Sequence, residues 1–155
     1  MATSQLAVHR SIWLRLGVTA LMVAGCAGAA RYTPVSLSGS QQVPPVTTNA
    51  SATSDIVVHP SKCSASTTSL SCPQILGSVR TSGLTVMAAH VHQGKKGENG
   101  PPIVTLVKQT DNMWVIPAFT FLTDAQYAAY LDGDLYVNLH TDANKGGELR
   151  AQLTP

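Results

Sequence analysis

At 155 residues the chain has room for one domain with a real core, and none for a separate cofactor domain. Only 12% of it is charged, against about 25% in an ordinary soluble protein, which excludes a disordered charged tail or a salt-bridged helical coil. The net charge is +2 and no basic run is longer than Lys95-Lys96, so no footprint for nucleic acid is expected.

Three cysteines is an odd count, and the start of the chain accounts for it. His9, Arg10 and Arg15 make a basic beginning, followed by ten uncharged, mostly apolar residues at 16–25. A membrane-spanning helix needs roughly 20 such residues, so the run has the size of the apolar part of a secretory signal. It ends Val23-Ala24-Gly25-Cys26. Small residues followed at once by Cys resemble the bacterial lipoprotein signal, in which the Cys is lipidated and becomes the new N-terminus. On this reading residues 1–25 are removed, Cys26 carries the lipid, and 26–34 tether the domain to a membrane of the cell envelope. By the same resemblance, Ala27 after the Cys favours the outer membrane in a cell that has one. The alternative is an ordinary signal cut within the small residues 27–30. Without 1–25, eight basic residues face eight acidic ones and the net charge falls to about zero.

Cys63 and Cys72 then form a pair in an oxidising compartment, and a disulfide closing the Ser/Thr-rich stretch between them is expected. Two free thiols are the alternative. A zinc site built from cysteines alone lacks the usual spacing and the four ligands.

Beyond the tether come short alternating runs at 35–38, 52–59, 75–79, 85–92, 103–108, 113–121, 135–141 and 148–153, broken by Gly, Pro, Asn and Ser. Many short strands at close spacing predict an all-β antiparallel sandwich in residues 35–155. One short helix is signed at 124–132: Thr123 as N-cap, Gln126 completing a capping box, Leu122 and Tyr127 as a hydrophobic staple, and Gly133 as the stop.

Alternation puts His90 and His92 on one face of their strand, with Met87, Ala89 and Val91 directed at the core. On the 135–141 strand, Tyr136, Asn138 and His140 share a face opposite Leu135, Val137 and Leu139. If the two strands are neighbours, His140 joins His90 and His92 in a three-imidazole site suited to copper, with zinc second. His59 is a weaker candidate, Asp142 a candidate partner for His140, and Met87 a soft ligand only if a bulge breaks the alternation. The Gly-containing loop 93–102 leads into Pro101-Pro102 and a strand rather than a helix, so it is read as a flexible hairpin loop and not a phosphate cradle. Glu148 and Arg150 share a face and are read as a surface ion pair. A place for Arg150 beside a metal-bound anion is the alternative.

The same residues carry a family resemblance. Leu37-Ser38-Gly39-Ser40-Gln41-Gln42-Val43-Pro44-Pro45, Ala88-Ala89-His90-Val91-His92-Gln93-Gly94, the helix region 122–131, Leu135-Tyr136-Val137-Asn138-Leu139-His140-Thr141 and Gly146-Gly147-Glu148-Leu149-Arg150-Ala151-Gln152-Leu153 occur in the order of a CHRD domain. The chain resembles that family from about residue 35 to 153, departing from it at Ala151 and in the 63–72 insert. The resemblance implies an immunoglobulin-like β-sandwich and leaves function open. The His-X-His strand also resembles, over a short stretch, the copper-binding strand of copper-zinc superoxide dismutases, which share the sandwich architecture. The histidines are too few for a dinuclear site.

Three functions follow. The favoured one is a lipid-anchored envelope module holding copper through His90, His92 and His140. The second is an adhesion or protein-interaction sandwich without metal, in which His140 would lie more than about 10 Å from His90, too far for bonds of about 2 Å to one ion. The third, a superoxide-dismutase-like copper enzyme, is disfavoured by the incomplete histidine set. The sequence names no protein partner.

Overall fold

The computed structural model describes Met1, residues 33–60 and residues 72–155. Among these are eleven short strands: β1 Val35–Leu37, β2 Ser51–Ser54, β3 Val57–His59, β4 Gln74–Leu76, β5 Ser78–Ser82, β6 Ala88–Gln93, β7 Pro102–Thr105, β8 Val107–Thr110, β9 Met113–Val115, β10 Leu135–His140 and β11 Leu149–Gln152. One α-helix, α1 Asp124–Leu131, and a 3-10 turn, Gly39–Gln41, complete them. Every pairing is antiparallel. A five-stranded sheet runs β1-β2-β5-β9-β8, a four-stranded sheet β11-β10-β6-β7, and β3 pairs with β4 alone. The expected all-β sandwich with one short helix is the observed fold. The expected signal and tether, with Cys26, fall outside the described residues except for Met1, Thr33 and Pro34. Cys63 also lies outside them, while Cys72 is half-buried where the described chain resumes.

Several runs read as single strands are in fact two, because the chain changes sheets. The 52–59 run divides at Asp55-Ile56 and the 75–79 run at Gly77, on facing segments. The Asp55 side chain accepts from the Ser78 backbone N–H and, at 3.0 Å, from its hydroxyl. Gly77 has φ 126°, and a Cβ there would sit 2.6 Å from the Ile56 Cα, so only glycine fits the crossing. The 103–108 run divides at Leu106, which is buried and donates its N–H to the Ala89 carbonyl at 2.9 Å as the chain passes from the four-stranded to the five-stranded sheet. The last strand of the five-stranded sheet ends at Val115, two residues before Pro117, rather than reaching 121.

The apolar core collects the inward faces: Val79 and Trp114 from one sheet, and Ala89, Val91, Leu135, Val137, Leu139, Leu149 and Ala151 from the other. Ala89 and Val91 are fully buried, as alternation requires. Met87 is 56% exposed, because β6 begins at Ala88 and Met87 lies beyond the ladder, its N–H bonded to the His140 carbonyl at 2.8 Å. The helix is capped as expected. The Thr123 hydroxyl accepts from the Gln126 N–H at 3.1 Å, and the Gln126 side chain accepts from the Thr123 N–H at 2.9 Å. Gly133 follows with φ 76°. Among the described residues no helix is long and apolar enough to cross a membrane.

Candidate metal centre

β6 and β10 are direct neighbours, with His90 opposite Asn138, His92 opposite Tyr136 and His140 opposite Ala88. His140 is therefore diagonal to His90 on one face, a relation that brings long side chains into contact. The ring centroids of His90 and His140 are 5.0 Å apart, those of His90 and His92 5.6 Å, and those of His92 and His140 5.8 Å. One ring nitrogen from each lies within 4.8 Å of the others. Around one ion with bonds of about 2.0–2.1 Å, ligand nitrogens sit roughly 3–4 Å apart, so small side-chain rotations close the set.

The hydrogen bonds fix which nitrogens are available. His92 Nδ1 lies 2.9 Å from the Gly100 carbonyl and His140 Nδ1 lies 2.9 Å from the Lys145 carbonyl. A carbonyl only accepts, so both Nδ1 atoms carry the proton and both Nε2 atoms present a lone pair. Those two Nε2 atoms, together with His90 Nδ1, are buried without a hydrogen-bond partner. Buried polar atoms are otherwise almost always satisfied, so three converging ring nitrogens without a hydrogen-bond partner make a donor set that fits a cation. Carbonyl-held imidazoles are also the usual arrangement of metal-ligating histidines. Burial pulls the His90 pKa below the ordinary 6.5, helped by His140. Burial does the same for His92. The Gly100 carbonyl opposes that shift, while His140, His90 and Arg150 add to it. Both effects keep the rings neutral, the form that binds metal.

Loops supply the rest. Gly100 donates its N–H to the Tyr136 hydroxyl at 3.0 Å while its carbonyl holds His92. A Cβ at Gly100 would lie 1.6 Å from the Gln93 carbonyl oxygen, so the close approach requires glycine. The 93–102 loop, expected to be a flexible turn, is braced. Gly94 donates to Asp134 at 2.8 Å, Gln152 to Gly94 at 2.8 Å and Arg150 to Lys95 at 3.0 Å. Lys95, Lys96 and Glu98 remain exposed on it.

Other expectations change. His140 is held by Lys145 and not by Asp142. His59 is exposed at the end of β3 and stands outside the cluster. Glu148 and Arg150 are not a surface pair, being 8% and 1% exposed. Glu148 accepts from Thr48 and Thr141, each at 2.7 Å, and from Asn144 at 3.0 Å. Arg150 lies over the Tyr136 ring, 3.5 Å from its centroid. On the β6 side of Tyr136, His92 stacks at 4.9 Å and 12°. Since β10 lies between β6 and β11, imidazole, phenol and guanidinium form one column. Alternation had placed Tyr136 and Asn138 beside His140. Their burial on an outward face comes from the loops that cover it, which alternation does not reveal.

A family model described as CHRD domain matches residues 33–153. No curated protein and no solved structure matches the chain.

Proposed function

The chain belongs to the CHRD domain family, and on that premise we propose that it is a lipid-anchored cell-envelope module binding one metal ion through His90, His92 and His140. The observation that carries the proposal is the convergence of three buried, unpartnered imidazole nitrogens on one sheet face. Copper is favoured over zinc, because an all-imidazole set suits both and the Irving–Williams order places copper first. A three-histidine site leaves an open position. The sole other histidine among the described residues, His59, lies outside the cluster, so the reading is of a mononuclear binder rather than an enzyme with a dinuclear centre. The 5.0 Å between His90 and His140 disfavours the metal-free interaction module, which needs them apart. Anchoring rests on the lipobox-like Val23-Ala24-Gly25-Cys26, with the membrane as partner through lipid on Cys26, and the Cys63–Cys72 disulfide on the oxidising compartment that such export implies.

The test is titration of the full chain in detergent with Cu(II) and Zn(II), beside the His90→Ala/His92→Ala double variant. One equivalent of Cu(II), bound tighter than Zn(II) and lost in the variant, is the expected result. Equal copper binding by the two proteins overturns the proposal.

A further inference from the structure

Among the described residues, Arg150 is a buried cation without an anion. Besides its place over the Tyr136 ring, its guanidinium donates three hydrogen bonds among the described residues, all to neutral oxygens: Lys95 O at 3.0 Å, Gln152 Oε1 at 3.3 Å and Asn99 Oδ1 at 3.4 Å. Among the described residues the ion pair within 4.0 Å is Lys108–Asp111, on the surface and unrelated to Arg150. Buried charges are normally paired, because desolvation is expensive and an aromatic face returns only part of it. Arg150 also lines a pocket of about 320 Å³, with Gln41, Gln42, Val43, Pro45 and Lys96, within the range of small-molecule sites. The walls are braced before any ligand arrives. Asn99 donates to the Val43 carbonyl at 2.7 Å, and Gln42 to Asn138 Oδ1 at 2.6 Å.

We propose that this pocket binds a small organic carboxylate, its acid group facing Arg150 and its apolar body against Val43 and Pro45. A carboxylate fits because a charge-assisted hydrogen bond from a guanidinium to an anionic oxygen is stronger than the bonds to neutral oxygens that Arg150 makes here. The Val43 and Pro45 walls suit hydrocarbon, which a small organic acid carries and inorganic phosphate lacks. The pocket lies on the Arg150 side of Tyr136, and none of the three histidines lines it.

The experiment is calorimetric titration of the full chain in detergent, stripped of metal, with butyrate, butyramide and inorganic phosphate. Butyrate is expected to bind saturably at one site, with butyramide and phosphate each at least about tenfold weaker. Arg150→Lys tests the guanidinium directly. Because Arg150 is buried and that change endangers folding, two exposed pocket residues carry the decision. Lys96→Glu reverses the rim charge and Ser40→Trp fills the mouth, and each is expected to weaken butyrate about three- to tenfold or more. The metal-stripped parent is expected to bind butyrate as the copper-loaded parent does, which separates this site from the metal reading. No saturable butyrate binding at tens of millimolar, roughly the weak end of such affinities, overturns the proposal. So does butyramide or phosphate binding as tightly as butyrate, or butyrate binding unchanged in both surface variants.

Discussion

Each of the three imidazoles does one job for the others, so single changes separate ligand from bystander. His140→Ala removes one of the converging nitrogens and is expected to weaken Cu(II) by more than the about ten- to hundredfold that loss of an outer hydrogen-bond partner costs. His59→Ala, outside the cluster, is expected to change nothing, and paired competition titrations check both. Acid acts on two kinds of residue with different onsets. His90 and His92 take protons less readily folded than unfolded. Above the ordinary 6.5 both states are neutral and the histidines cost no stability. Below it the unfolded chain binds more protons, so the metal-free fold weakens as pH falls. Glu148 is held below the ordinary 4.5, first by the Thr48 hydroxyl and then by Thr141 and Asn144, against the opposing effect of burial. Its contribution is full above 4.5 and is lost as pH drops through its lower folded value. Denaturant midpoints across pH 3–8, about the range these groups span, are expected to show the earlier decline in the parent and its absence in His90→Ala/His92→Ala. Glu148→Gln is expected to remove only the later one.

At the scale of elements, the sequence was most readable where a local rule decides the outcome. The Thr123–Gln126 capping box and the shared face of His90 and His92 are set by spacing alone. Thr123→Ala is expected to cost about 1 kcal/mol, a fall of roughly 3–6 °C in the melting temperature of a domain this size, with copper affinity unchanged. Strand ends were less readable, because Asp55–Gly77 and Leu106 are places where the chain leaves one sheet for another, and periodicity is blind to which sheet a strand joins. The adjacency of β6 and β10, on which the histidine cluster depends, follows from no local rule. Forty-odd residues separate the two strands, and no local signal fixes their register. The carbonyls of Gly100 and Lys145 were invisible for a related reason: they are backbone groups on loops, and composition carries no trace of their direction. The same is true of Arg150, whose burial depends on loops folding over an outward face. Gly77→Ala is expected to destabilise by more than the about 1 kcal/mol usual for glycine in an unsuitable setting, since its Cβ would meet the Ile56 backbone. Gly83, at φ 67° with open space around it, is the matched control, and urea unfolding of both variants measures the difference.

Across the whole molecule, the four-stranded sheet keeps its two duties on opposite faces. Val91 is fully buried in the core, while its neighbours His90 and His92 face the other way. Val91→Ala is expected to cost about 2–3 kcal/mol of stability and leave Cu(II) stoichiometry intact, a separation read by unfolding and titration on the same samples. On the proposed anchoring, Cys26→Ala is expected to move the protein from the membrane fraction to the soluble one. The proposed anchor would also give the first strand a mechanical place. β1 is held to β2 by the three pairs Val35–Ser54, Ser36–Thr53 and Leu37–Ala52, and just beyond it Ser38 exchanges backbone hydrogen bonds of 3.0 and 3.1 Å with Arg150 in β11. On that proposal, tension arriving through the tether would reach these bonds early in the described domain. On the two proposals together, peeling β1 back by four residues would free the Arg150 backbone and slacken one wall of the pocket, so drag on the domain and carboxylate occupancy are expected to oppose one another.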